Sequence, residues 1–130
     1  MTSTEPLPAV TLAITEVAQR SGLSPDTLRY YEKARLISPV GRSAGGQRRY
    51  AAADLAWIEF LLRLRDTGMS IAGMQQFADL RRRGDSTVPE RLTLLRAHRG
   101  RLTRRIRQLQ ASGSALDEKI THYEQLLRDA

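Results

Sequence analysis

The chain has no cysteine. That excludes disulfides, thiolate metal sites, iron–sulfur clusters and a thiol redox switch within it. Aromatic residues are scarce, at 5% of the sequence, so no large aromatic core is expected. Long apolar runs are missing as well. None approaches the roughly 20 residues needed to span a bilayer, and the first residues lack a signal-peptide pattern. The expectation is a soluble cytoplasmic protein with no membrane partner. There is no phosphate loop, no Gly-x-Ser-x-Gly elbow and no carboxylate pair whose setting reads as buried. His98 and His122 lie far apart, form no local metal pair, and read as surface histidines. The sequence therefore predicts no enzyme, no metal and no cofactor.

What is present is arginine. The 130 residues carry a formal charge of +7, and among 21 basic residues only Lys33 and Lys119 are lysine. Arginine favours planar, bidentate contacts with phosphate or guanine. A basic surplus of this kind points to nucleic acid.

The most informative stretch runs from Ser24 to Glu32. Ser24 is a suitable N-cap and Pro25 suits the first helical position, where its missing N–H is not needed. Leu28 and Tyr31 can face inward. Asp26, Thr27, Tyr30 and Lys33 share an outward face, with Arg29 at its edge. An earlier helix is expected from about Ile14, with Thr15 as N-cap and Gly22 as its C-terminal stop. Two short helices joined by a Gly-containing turn make a helix-turn-helix signature. Next, Ile37–Arg42 and Gln47–Tyr50 flank Ser43-Ala44-Gly45-Gly46 and can pair as a basic hairpin. Alternation places Arg48 and Tyr50 on one face and Arg49 on the other. Such a hairpin is a wing that reaches phosphate or the minor groove.

Two more helices follow. Leu55, Ile58 and Leu62, widened by Trp57, Leu61 and Leu64, mark a buried stripe over Ala51–Thr67. Gly68 ends that helix and Ser70 caps the next, whose inward residues are Ile71, Met74, Phe77 and Ala78. Trp57 and Phe77 read as core. Beyond the linker Arg81–Ser86, Thr87-x-x-Glu90 reads as a capping box. A seven-residue repeat then begins at Leu92. Its apolar seam holds Leu92, Leu95, Leu102, Ile106, Leu109, Leu116, Ile120 and Tyr123, the residues expected to dimerise. Arg99 and Gly113 interrupt the seam. The repeat predicts a coiled coil that needs a second copy of the chain, with a kink or break at residues 112–114.

The combination resembles the MerR family of bacterial transcription regulators. The resemblance rests on Ile14-Thr15-Glu16-Val17-Ala18, Thr27-Leu28-Arg29-Tyr30-Tyr31-Glu32 and Leu36-Ile37. It continues in Gly46-Gln47-Arg48-Arg49-Tyr50, Asp54-Leu55 and Gly68-Met69-Ser70-Ile71. It implies a winged helix-turn-helix domain and a homodimer joined by an antiparallel coiled coil. It also implies a two-fold operator in an over-long promoter spacer, which the dimer bends and untwists for RNA polymerase. Gln47 stands where many members carry a wing tyrosine, and Ala51 replaces the usual cap of the third helix. Lacking cysteine, the chain fits neither the metal-sensing nor the iron–sulfur branch. A small-molecule effector is left unidentified.

The sequence reading is thus a mainly all-α protein. A flexible tail is expected over residues 1–13, a winged helix-turn-helix domain over 14–84 and a coiled-coil region over 87–130. Residues expected at DNA are Thr15, Ser24, Thr27, Arg29, Tyr30, Lys33, Arg42, Arg48 and Tyr50. Two other readings stay open: an architectural or excisionase-like DNA-binding protein, and an interaction module whose coiled coil docks a different partner.

Overall fold

The Ser24-Pro25 pair starts a helix where the sequence places it. In the computed structural model, which describes residues 11–38 and 40–130, α2 spans Pro25–Lys33 and Ser24 is its N-cap. The Ser24 Oγ accepts the Thr27 N–H at 3.1 Å, which satisfies one of the unpaired amides of the first turn. Helix α1, Ile14–Ser21, precedes it and ends at Gly22 in the left-handed region (φ 76°). The N-cap of α1 is Ala13, not Thr15, and Ala13 offers no side-chain oxygen. Thr15 therefore sits inside the first turn.

The N-terminal boundary also differs from expectation. Leu12–Ala13 form β1, which pairs antiparallel with β3 (Arg48–Tyr50), Leu12 opposite Tyr50 and Ala13 opposite Arg49. On its other edge β3 pairs with β2 (Gly41–Arg42). The sheet order is β1-β3-β2. Arg49 fastens the new edge, donating from Nε to Thr11 Oγ1 at 3.0 Å and from Nη2 to Thr11 O at 2.7 Å. Two residues are too few to display a period-two pattern, so the strand was invisible in the sequence. Residues 1–10 of the expected tail lie outside the described residues.

Helix α3, Ala52–Asp66, buries Trp57, Ile58, Leu61 and Leu64, while Leu55 and Leu62 are only half-buried. Its cap residue Ala51 has no acceptor oxygen, and Asp54 Oδ2 instead accepts the Ala51 N–H at 2.8 Å. Helix α4, Ile71–Arg82, is capped by Ser70 and buries Met74, Phe77, Ala78 and Leu80. Ile71 was expected inside but is exposed, because the first turn of α4 lies at the edge of the core. Trp57 stacks on Phe77 with ring centroids 5.9 Å apart, and Arg81 lies over the indole. Both aromatics are core residues, as read.

Helix α2 closes in an unusual way. Arg35 adopts φ 63°, a left-handed conformation costly for any residue with a Cβ. The Arg35 N–H donates to Glu32 O at 3.1 Å and the Leu36 N–H to Tyr31 O at 2.9 Å, a paired helix stop that glycine usually fills. Three side chains then hold three successive carbonyls. Gln75 Nε2 donates to Ala34 O (3.1 Å), Arg82 Nη1 to Arg35 O (2.6 Å) and Trp57 Nε1 to Leu36 O (2.7 Å).

The chain divides after Val88 into two compact units. In the first, a short 3-10 turn, Asp85–Thr87, leads into the long helix. Thr87 is buried, and its hydroxyl points back to Leu80 O and Gly84 O. The second unit, Pro89–Ala130, is formed by helix α5, which spans Val88–Asp129 and is about 63 Å long at 1.5 Å per residue. It runs without interruption through Ser112-Gly113-Ser114, which corrects the expected break. One glycine costs about 1 kcal/mol in a helix. A break would instead strand several amides and carbonyls and require two new caps. His98 on this helix is 7% exposed, against the surface position expected. Burial first, then the charge of Arg101, lowers its pKa. Leu109, Leu116, Ile120 and Tyr123 are each more than half exposed.

Replacing Arg35 by glycine removes the left-handed cost of roughly 1–2 kcal/mol and adds a chain-entropy cost of about 0.5–1 kcal/mol. Arg35→Gly is therefore expected to raise the melting temperature by a few degrees. A lower one in a calorimetric scan would contradict the strain at this turn.

Candidate nucleic-acid interface

Helix α2 presents one face to the core through Leu28 and Tyr31. On the other side Asp26, Arg29, Tyr30 and Lys33 are exposed. Arg29 Nη1 donates to Asp26 Oδ1 at 2.9 Å, one helical turn away. The Tyr30 ring stands free at 52% exposure, tilted against Tyr31. Ser24 and Thr27 bond to each other through their hydroxyls at 2.9 Å. They hold the first turn in shape.

The wing folds beside this helix. The Gly46 N–H donates to Ser43 O at 2.9 Å and the Ser43 N–H to Gln47 O at 2.8 Å, closing the turn. Arg42 adds a clasp from Nη1 to Gly46 O at 3.0 Å. Alternation along β3 does separate Arg48 and Tyr50 from Arg49, and the face carrying Arg48 and Tyr50 is the inner one. Arg48 Nε meets Glu32 Oε2 at 2.6 Å, with both side chains mostly screened from water. This pair joins wing to helix. Glu32 therefore orients Arg48, not Arg29.

Tyr50 requires a correction. Its side chain is wholly buried, so it has no surface to lay against DNA in this structure. Its hydroxyl has no hydrogen-bond partner among the described residues. Burial first, and then the nearby Glu32 carboxylate, raise its pKa, which keeps the phenol neutral.

Four of the expected residues converge. Thr15, Arg29, Arg42 and Arg48 line one cleft of about 340 Å³, together with Ala13, Ile14, Gly46 and Gln47. The first turn of α1 forms one wall, with free backbone amides that favour an anion. Three guanidinium groups around one concavity suit phosphate oxygens. Ser24, Thr27, Tyr30 and Lys33 do not line this cleft and belong to α2. Sequence reasoning missed Asp26 as the partner of Arg29, although the i, i+3 spacing was visible. It noted Gln47 as a departure from the wing tyrosine of the family but did not place it among the contact residues. Among the described residues no group of His, Asp or Glu could hold a metal, and no helix is long and apolar enough to cross a membrane.

Comparison with known proteins follows this geometry. A family model described as MerR HTH family regulatory protein matches residues 12–80, and a second, MerR, DNA binding, matches residues 55–127. A Haemophilus influenzae protein described as an HTH-type transcriptional regulator is 34% identical over 115 residues, 88% of this chain and 85% of that one. A solved MerR family regulator from Listeria monocytogenes is 40% identical, with a TM-score of 0.82 over 87% of this chain and 86% of its own. HiNmlR, a MerR family regulator lacking the sensor domain and solved bound to promoter DNA, is 34% identical. Its TM-score is 0.82 over 89% of this chain and 92% of its own.

Breaking the Glu32–Arg48 pair tests how the wing is held to α2. Glu32→Gln removes a charge-assisted bond and is expected to cost about 2 kcal/mol in urea unfolding. An unchanged midpoint would show that Arg48 is held by something else.

Proposed function

The chain belongs to the MerR family of helix-turn-helix transcription regulators, and from that premise we propose how this DNA-binding protein engages a promoter. Two copies bind a two-fold operator, each laying α2 in a major groove and its wing on the flanking backbone. The observation that carries this reading is the convergence of Arg29, Arg42, Arg48 and the first turn of α1 on one cleft beside the exposed face of α2. Arg29 and Tyr30 meet base edges, with Lys33, Ser24 and Thr27 near the groove walls. The cleft takes a phosphate, with Thr15 at its rim.

The exposed seam of α5 supports a homodimer. Burying a leucine-sized side chain contributes roughly 1.5–3 kcal/mol, and this helix leaves a row of them in water. Charge supports an antiparallel pairing. Between Glu90 and Asp117 the sequence has no acid but seven arginines, Arg91 to Arg107. The acids Asp117, Glu118, Glu124 and Asp129 follow in the last third. A parallel pair would set arginine against arginine along its first half, whereas an antiparallel pair sets basic against acidic ends. The dimer then bends and untwists the operator, a cost of several kcal/mol offset by contacts that the bent duplex permits. RNA polymerase is the partner that reads the altered promoter.

Two substitutions test the reading. Arg29→Ala is expected to weaken binding to the operator, found by footprinting upstream of the protein's own gene, by about 10- to 100-fold, with helicity unchanged by circular dichroism. Leu102→Asp, in the half-buried part of the seam, is expected to convert the dimer to monomer in sedimentation. A wild-type profile for that variant would sink the coiled-coil assignment.

A further inference from the structure

The exposed face of α2 carries one group that works against binding a polyanion. Asp26 is 95% exposed at the side chain, in the first turn of the helix taken here as the DNA-reading element. A carboxylate there repels phosphate and weakens binding to every duplex alike. The helix dipole favours an acid in the first turn, but it does not require this contact: Asp26 Oδ1 lies 2.9 Å from Arg29 Nη1, and Asp26 is the hydrogen-bond partner of Arg29 among the described residues. A free arginine on a helix swings through many rotamers and can settle on any nearby phosphate. Held at Nη1, it keeps one orientation and leaves the Nε/Nη2 edge, two parallel donors, clear for the O6 and N7 acceptors of a guanine.

We propose that Asp26 is a specificity-determining residue, which fixes Arg29 for one guanine in each half-site and penalises binding where that guanine is absent. The inference rests on the DNA-binding reading above. Asp26 acts through Arg29 and is a positioning residue. Its repulsion of phosphate is common to every duplex. At sites lacking the guanine no base contact offsets it, so the fixing of Arg29 is what widens the gap between right and wrong DNA.

The test is selection from a randomised duplex library by the full-length wild type, Asp26→Asn and Asp26→Ala. Titrations on the wild-type consensus duplex and on a scrambled duplex follow. The wild type is expected to enrich a two-fold motif with a guanine at matching positions. Both variants are expected to lose that guanine preference, to bind scrambled DNA more tightly, and to show a specific-to-scrambled ratio lower by about tenfold. Arg29→Ala combined with Asp26→Ala is expected to be no less specific than Arg29→Ala alone. If Asp26 acts only as a charge, both affinities rise by one factor and the motif is unchanged, which overturns the proposal. If it only stabilises the helix end, both affinities fall together along with helicity by circular dichroism, and that also overturns it. A wild type that enriches no motif at all would instead overturn the DNA-reading role on which the proposal rests.

Discussion

Three carbonyl groups in a row govern the shape of the DNA-binding unit. A helix end leaves its last carbonyls without partners, and burying one unpaired costs about 1–3 kcal/mol. Here the chain turns sharply through Arg35 directly after α2, and Ala34, Arg35 and Leu36 all direct oxygens at neighbouring elements. Gln75 and Arg82 of α4 take the first two and Trp57 of α3 takes the third. Asp79 in turn holds Arg82. Helix α2 is thus anchored by its far end to both later helices, and its exposed face gives up no residue to the task. Any tilt of α4 must either drag α2 along or break these bonds.

The wing depends on α2 in a second, separate way. Arg48 bonds to Glu32, and Tyr50 fills the space beneath. Strand β3 therefore spends one side on packing, while its other side, through Arg49, ties down Thr11. What remains free to meet a ligand is the rim: Arg42, the outer edge of Arg48 and the turn between them. This division keeps a short hairpin firm. Its inner residues are locked by a charge pair and a buried ring, and its outer ones need only small adjustments.

Much of this was legible in the residues. The Ser24-Pro25 start, the Gly22 stop and the Ser70 cap work through local chemistry, and each appears where its chemistry requires. The heptad of α5 is equally local. What sequence could not supply were contacts across distance. Alternation correctly paired Arg48 with Tyr50, yet only packing against the helices decides which side of the hairpin is inside, and so Tyr50 was misread as a contact. Glu32 sat among several cations, and nothing in the spacing selected Arg48 over Arg29. The two-residue strand Leu12–Ala13 exists because β3 offers a free edge, which is no property of its own residues. Gly113 shows the opposite error: a local penalty was given too much weight against the cooperativity of a long helix.

In the proposed antiparallel dimer, the seam register of α5 acts as a ruler. In an antiparallel pair, sliding one helix past the other by a single heptad displaces the two attached DNA-binding units by about 10 Å along the coil. At a rise of about 3.4 Å per base pair that is some three base pairs, close to a third of a helical turn. Such a slip would carry one recognition helix out of its groove. The two irregular positions, Arg99 and Gly113, are the ones that make a slipped alignment differ from the correct one. Under the proposed dimer, the distance between operator half-sites is written in the coiled coil, far from any base.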